Sequence, residues 1–324
     1  MCLEILKRTA RDPVNPHATP KAHSLLKYLH SVAGKQIITG QHTQTNPMEE
    51  RTYIYEVTGY YPRLQGFELL SYSPNINYED ASEECLIEIS ENKHTVDTAL
   101  SWAKATGGIV SLCFHWFSPI GGRDKSFYTQ NTDFDPCQIF ITGSKEHLAF
   151  YHDLDELSKQ LKRFQDADIP VLFRPLHEAE GNWFWWGSKG ADVAARLYQL
   201  IYDYYVTEKQ LNNLLWVWSC PTREGYPGDE YVDVISWDIY TTPHAVTDYE
   251  SQYKKLIANT SCFKVAALTE VGVIPDVDML IKSHVPWAYY MTWSKEFCLT
   301  EEYNTKAALR KMYASPYSIK LECE

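Results

Sequence analysis

The stretch that decides the reading of this chain is Val171-Leu-Phe-Arg-Pro-Leu-His-Glu-Ala-Glu-Gly-Asn-Trp-Phe-Trp-Trp-Gly187. An apolar run suited to a buried parallel strand ends in Arg174 and is followed at once by His177 and Glu178. A loop then carries Trp183, Trp185 and Trp186. A carboxyl group donates a proton near neutral pH only when apolar or like-charged neighbours raise its pKa. Glu178, beside a histidine and a cluster of indoles, has that setting. The blander reading pairs Glu178 with Arg174 for stability.

Working outward, similar apolar runs recur at 36–39, 63–67, 108–114, 170–174, 214–218, 232–237, 265–268 and 288–292. Amphipathic stretches at 95–106, 147–168 and 191–209 lie between them, with apolar residues three and four apart. Strands alternating with helices over 324 residues predict a (β/α)₈ TIM barrel, a single catalytic domain over 1–324. An open doubly wound sheet alternates in the same way, but no G-x-G-x-x-G turn follows any strand. Residues 71–92 and 121–143 read as long loops at the barrel mouth.

In such a barrel the site is built at the C-terminal ends of the strands. The second decisive segment is therefore Lys264-Val-Ala-Ala-Leu-Thr-Glu-Val-Gly272, where a buried run delivers Glu270. Glu178 follows the fourth strand and Glu270 the seventh. Two carboxylates at one mouth can straddle a glycosidic bond. Retaining hydrolysis needs them about 5–5.5 Å apart and inverting hydrolysis a wider gap, and sequence measures neither. Other strand ends carry His115 and Trp116, Trp216 and Trp218, Trp237 and Tyr240, and Trp293. Tyr240 is suited to hold a nucleophilic carboxylate, and Trp293 to lie under a sugar ring.

Composition narrows the partners. A net charge of −12 argues against nucleic acid or an anionic membrane, whereas a neutral polysaccharide is indifferent to it. With 23 Tyr, 12 Phe and 10 Trp, ring faces are abundant even after most are assigned to the core. Cysteines stand at 2, 85, 113, 137, 220, 262, 298 and 323 without a C-x-x-C pair, so a zinc ribbon or redox motif is not expected. Cys113 and Cys220 read as buried free thiols, with disulfides as the alternative. The opening Met-Cys-Leu-Glu-Ile-Leu-Lys-Arg has no signal-like apolar run, and no stretch reaches the ~20 apolar residues of a membrane span. No cofactor is expected, and the chain is expected to be a monomer.

A rival reading comes from His42, His115 and His177, which follow the first, third and fourth strands. With Glu178 or Glu270 they could hold Zn²⁺ in a metal-dependent hydrolase. The tight H-x-H spacing common in such barrels is missing, so no metal site is expected. A sugar-binding barrel without activity is a third possibility, and the presence of both carboxylates speaks against it.

The Arg-Pro-Leu-His-Glu and Trp-Phe-Trp-Trp-Gly pieces resemble glycoside hydrolase family 26, best known for endo-β-1,4-mannanases. The likeness extends through Gly40-Gln-His42, Gly66-Phe-Glu68, His115-Trp116, Thr269-Glu-Val-Gly272 and Trp293. The resemblance implies a (β/α)₈ barrel and a retaining mechanism with Glu178 as acid/base and Glu270 as nucleophile. It further implies Tyr240 as the hydrogen-bond partner of Glu270 and Arg174 as a residue supporting the site from behind. His177, Trp183 and Trp293 would touch the sugar at the cleavage point, with His115 and Trp218 as further contacts. Mannan or glucomannan is the implied substrate. β-1,3-Xylan, mixed-linkage β-glucan and mannobiose-releasing action are also known in the family. Glu180, where many relatives lack a carboxylate, is a departure that either raises Glu178 or points away.

Overall fold

The computed structural model describes residues 11–43 and 47–321. Its strands β1 Ile37–Thr43, β2 Leu64–Glu68, β3 Ile109–Cys113, β4 Val171–Arg174, β5 Leu214–Ser219, β6 Val234–Ile239, β7 Val265–Val271 and β8 Trp287–Thr292 pair in that order. All these pairings are parallel, and β8 returns to β1 with Ile38 opposite Tyr289 and Gln41 opposite Thr292. The sheet is thus closed, with helices between strands: the (β/α)₈ barrel that the alternating runs predicted. Two short outer strands, Tyr61–Pro62 and Ser318–Leu321, add an antiparallel flap beside β1.

β1 runs to Thr43, beyond the predicted end at residue 39, because Gly40 does not break it. A Cβ at Gly40 would fall 2.4 Å from the Tyr290 carbonyl oxygen, so bare backbone is what lets β1 and β8 close the ring.

Alternate side chains separate two cores. Ile38, Leu64, Leu172, Leu215, Val265 and Met291 fill the barrel with Leu25, Leu26 and Leu29 of helix Pro20–Val32. Phe67, Val110, Phe173, Trp216 and Leu268 pack outward against the helical layer. Each such side chain, fully buried, contributes roughly 1.5–3 kcal/mol through removal from water.

The predicted helices at 147–168 and 191–209 appear as Lys145–Asp166 and as Ala191–Asp203 continued by a π-helical turn, Tyr204–Glu208. Residues 71–92 are not all loop. Helix Glu83–Glu91 lies within them, capped by Ser82, whose hydroxyl accepts from Cys85 N–H, and favoured by Glu83 and Glu84 in its first turn. The 121–143 segment holds only the short 3₁₀ turns Thr129–Asn131 and Pro136–Phe140. Cys113 and Cys220 are buried free thiols, and Cys85, Cys137, Cys262 and Cys298 are also unbridged. Cys2, Cys323 and the N-terminal octapeptide lie outside the described residues. Among the described residues no helix is long and apolar enough to cross a membrane.

Two irregularities shape the mouth. The β6–β7 register shifts between Trp237 and Asp238, placing Asp238 opposite Glu270, and the β7–β8 register shifts between Leu268 and Val271. A bulge re-aims the residues beyond it, here Thr269 and Glu270.

Candidate active site

Arg174, the last residue of β4, is fully buried under the mouth. Its guanidinium donates from one nitrogen to Asp238 Oδ2 at 2.8 Å and from the other to Glu270 Oε1. Asp238 also accepts from the Ser219 hydroxyl at 2.6 Å and the Thr269 hydroxyl at 2.7 Å. The second oxygen of Glu270 accepts from the Tyr240 hydroxyl at 3.0 Å. Both oxygens of Glu270 are therefore held by donors, which fixes the direction of the carboxylate.

After β4 the chain turns sharply. Glu178 sits at φ +49°, in the left-handed region, and its carbonyl accepts from Gly181 N–H at 3.0 Å. Such a backbone costs of order 1–3 kcal/mol in a non-glycine residue and persists only where the surroundings enforce it. Trp186 Nε1 donates to the His177 carbonyl at 2.8 Å, and Trp185 Nε1 to the Trp116 carbonyl at 2.7 Å, so these two buried indoles anchor the loop. Trp183 remains 41% exposed and donates from Nε1 to Glu178 Oε2 at 2.7 Å. Gly181 makes room for it, since a Cβ there would stand 2.2 Å from the indole ring.

Oxygen atoms of Glu178, Asp238 and Glu270 lie within 4.8 Å of one another. Burial, then the charges of Glu270 and Asp238, push the Glu178 carboxyl up to about 8, while the Trp183 N–H acts in the opposite direction. Burial and like charge are thus the two causes that the sequence suggests, and of the indoles the Trp183 N–H works against them. Glu180 turns towards Cys220, and burial raises its carboxyl to about 7.

The cleft above these groups is open, about 570 Å³, and its lining includes His115, His177, Glu178, Tyr240, Glu270 and Trp293. Trp293 stands 4.8 Å from the His42 ring and 5.8 Å from that of His115. Gln41 Nε2 donates to the Trp293 carbonyl at 2.9 Å and steadies its backbone. The fold thus brings Glu178, Glu270, His115, His177, Tyr240, Trp183 and Trp293 together, with Arg174 beneath. Trp218 does not join them. Its ring is buried on the outer side of β5, 4.8 Å from Tyr198 of helix Ala191–Asp203, because its place in the strand alternation points it at the helical layer. Trp116, Trp185, Trp186 and Trp216 are likewise fully buried. The excess of tryptophan therefore reflects core packing more than ring platforms.

Asp238 and Glu68 stand at the site although they are not among the site residues expected from sequence. Asp238 was legible: it lies two residues before Tyr240, and strand alternation sets the two on one side. Helix Glu83–Glu91 and Lys125, which Glu84 and Glu88 hold at 3.0 and 2.7 Å, form one wall and left no readable pattern.

The three histidines do not form a metal-binding group. His42 Nε2 bonds to the Thr269 carbonyl at 3.0 Å, and His115 is engaged at both nitrogens. Among the described residues, ligand-type atoms converge only in Glu68–Cys113–His115 and Glu178–Asp238–Glu270. The first group is a set of hydrogen bonds to one carboxylate oxygen, and in the second Arg174 already supplies the cation.

The family model for glycosyl hydrolase family 26 matches residues 14–322. This chain belongs to glycosyl hydrolase family 26. A family relative, a mannan endo-1,4-β-mannosidase of Thermothelomyces thermophilus, is 37% identical over 316 residues, which is 95% of this chain and 62% of the relative. The chain thus spans less than two thirds of that relative's length. The crystal structure of the Podospora anserina GH26–CBM35 β-(1,4)-mannanase superposes with a TM-score of 0.85 at 34% identity, covering 97% of this chain and 69% of that one. A β-mannanase from a symbiotic protist of the termite Reticulitermes speratus, crystallised with a gluco-manno-oligosaccharide, gives 0.86 at 30% identity with 97% of each chain covered.

Proposed function

We propose that this family 26 barrel hydrolyses β-1,4-mannosidic bonds in mannan or glucomannan with retention of anomeric configuration. The observation that carries the mechanism is that one carboxyl oxygen of Glu178 and one of Glu270 lie within 4.8 Å of each other. Retaining enzymes hold their carboxyl groups about 5–5.5 Å apart, and inverting enzymes hold them about 6.5–9.5 Å apart to admit a water. The substrate follows from the relatives named above.

Glu178, protonated, gives its proton to the glycosidic oxygen as Glu270 attacks the anomeric carbon from the opposite face. The product is a glycosyl ester on Glu270 and a free leaving sugar. Glu270 no longer carries a charge in that ester, so one cause of the raised Glu178 pKa disappears and Glu178 is left as a carboxylate. It then takes a proton from the water that attacks the ester and returns to its starting state. Tyr240 and Arg174 hold Glu270 on the line of attack, and Trp293 and Trp183 offer rings to the sugar faces.

The test is a proton NMR time course on mannan, glucomannan, lichenan and β-1,3-xylan. Mannan and glucomannan should release oligosaccharides whose reducing ends first appear as the β-anomer. First appearance of the α-anomer refutes retention, and cleavage of lichenan or xylan alone refutes the substrate while sparing the mechanism.

A pH prediction follows from the same geometry. Glu178 must be protonated to act, so kcat/KM should fall as pH rises through about 8. In Trp183→Phe the N–H that favours the charged form is lost, so the alkaline limb should move to higher pH. A limb that stays in place or moves down contradicts this.

A further inference from the structure

Glu68, at the end of β2, is a buried carboxylate that the two-carboxylate chemistry leaves unused. Oε1 accepts from the backbone N–H groups of Leu69 at 2.9 Å, Leu70 at 3.0 Å and His115 at 2.8 Å. Oε2 accepts from the Cys113 thiol at 2.9 Å and from His115 Nδ1 at 2.7 Å. On its other side, His115 Nε2 lies 3.2 Å from Nε2 of His177, the residue before Glu178.

A carboxylate accepts and does not donate, so His115 Nδ1 carries a proton. A buried carboxylate also calls for a compensating charge. Arg174 is committed to Asp238 and Glu270, which leaves His115 as the cation for Glu68. Two imidazoles meeting through Nε2 need one proton between them. A doubly protonated His115 supplies it, and His177 accepts as the neutral partner.

We propose that Glu68 is a positioning residue: through His115 it pins His177, hence the strained turn that presents Glu178, and keeps an imidazolium beside the Glu178–Glu270 pair. The titratable groups bearing on His115 are Glu68 on β2, Glu88 on helix Glu83–Glu91, His177 after β4 and Glu270 on β7; Cys113 on β3 shares the Glu68 oxygen. Burial alone would lower the His115 imidazole, but Glu68, Glu270 and Glu88 together hold it up at about 9. Burial and the adjacent His115 charge drive His177 well below the ordinary histidine value. The His115 charge in turn pulls Glu178 downward. The rings of Phe184 and Trp186, at 5.0 and 5.6 Å, complete the cage around His177.

The inference rests on Glu178 being the general acid, and its test has one arm that does not. Glu68→Gln keeps the size of the side chain and an oxygen for the three backbone donors but removes the charge. Imidazole ¹⁵N spectra of the substrate-free protein at pH 7 should show His115 doubly protonated in the native chain and neutral in Glu68→Gln. In the same variant kcat should fall about tenfold to a hundredfold with KM little changed. Its alkaline limb should rise, since a positive charge near Glu178 is gone. A doubly protonated His115 in Glu68→Gln overturns the proposal whatever the rates do. So does a native-like limb combined with a loss confined to KM. Should Glu68→Gln not fold, His115→Gln is read instead: the same fall in kcat and the same upward limb support the relay, and an unmoved limb overturns it.

Discussion

With Glu270 replaced by alanine, kcat on mannan is expected to fall about 10⁴-fold or more, and azide should restore turnover with a glycosyl azide of the opposite anomeric configuration. Deleting the side chain leaves space on the α-face of the sugar. Azide entering there displaces the leaving group once, so a β-linked substrate gives an α-azide. Glu178→Ala should behave differently. Hydrolysis of mannan falls about 10²–10⁴-fold for want of a general acid, while an aryl glycoside with a good leaving group still forms the Glu270 ester. Azide then attacks that ester from the β-face and gives a β-azide. The two products separate the two roles, because each variant leaves the opposite face open. Product NMR decides it: matching azides from both variants, or azide products in neither, would remove the assignment of Glu178 and Glu270.

Arg174→Met is expected to have the largest effect on stability. The guanidinium has no exposed surface and is the ion-pair partner of both Asp238 and Glu270. Its loss leaves two buried carboxylates facing each other without a counter-charge, which costs about 3–5 kcal/mol. For a chain of this size that lowers the melting temperature by roughly 5–15 °C. A hydrophobic side chain of similar length fills the volume, so the effect reports charge rather than a cavity. Adding Asp238→Asn to Arg174→Met should recover part of the lost stability by removing one of the opposed charges, without recovering activity, since Glu270 still lacks the Arg174 donor and keeps only Tyr240. Calorimetry on the single and double variants tests this, and a double variant no more stable than Arg174→Met would show that uncompensated charge is not the cause.

Much of this barrel was legible. Runs such as Leu-Leu-Trp-Val-Trp-Ser in β5 announce buried parallel strands by their length and lack of polar interruption. The barrel rule then directs attention to the residue after each run, and Glu178 and Glu270 were found that way. Helix Glu83–Glu91 carries a start signal, Ser82 followed by two glutamates, that its acidic and irregular surroundings mask as loop. Trp218 departs from the expected cleft position for a different reason. A tryptophan at a strand end is equally suited to a cleft and to a helical interface, and only strand alternation relative to the neighbouring residues decides between them.

By itself, then, the sequence determined the order of strands and helices, the two carboxylates and the chain segments that deliver them. Those properties depend on local periodicity and on position along a strand. The tertiary structure alone decided that Glu270 stands opposite Asp238, that Arg174 reaches both, and that Glu178 is buried beside Glu270, where burial first and that charge second push its carboxyl up. Arg174 and Glu270 are 96 residues apart in the chain, and a register shift in β7 turns the carboxylate towards its partners. Such distances arise from closing the sheet. The acidity of Glu178 arises in turn from burial and like charge brought together by that closure, which no local pattern of residues encodes.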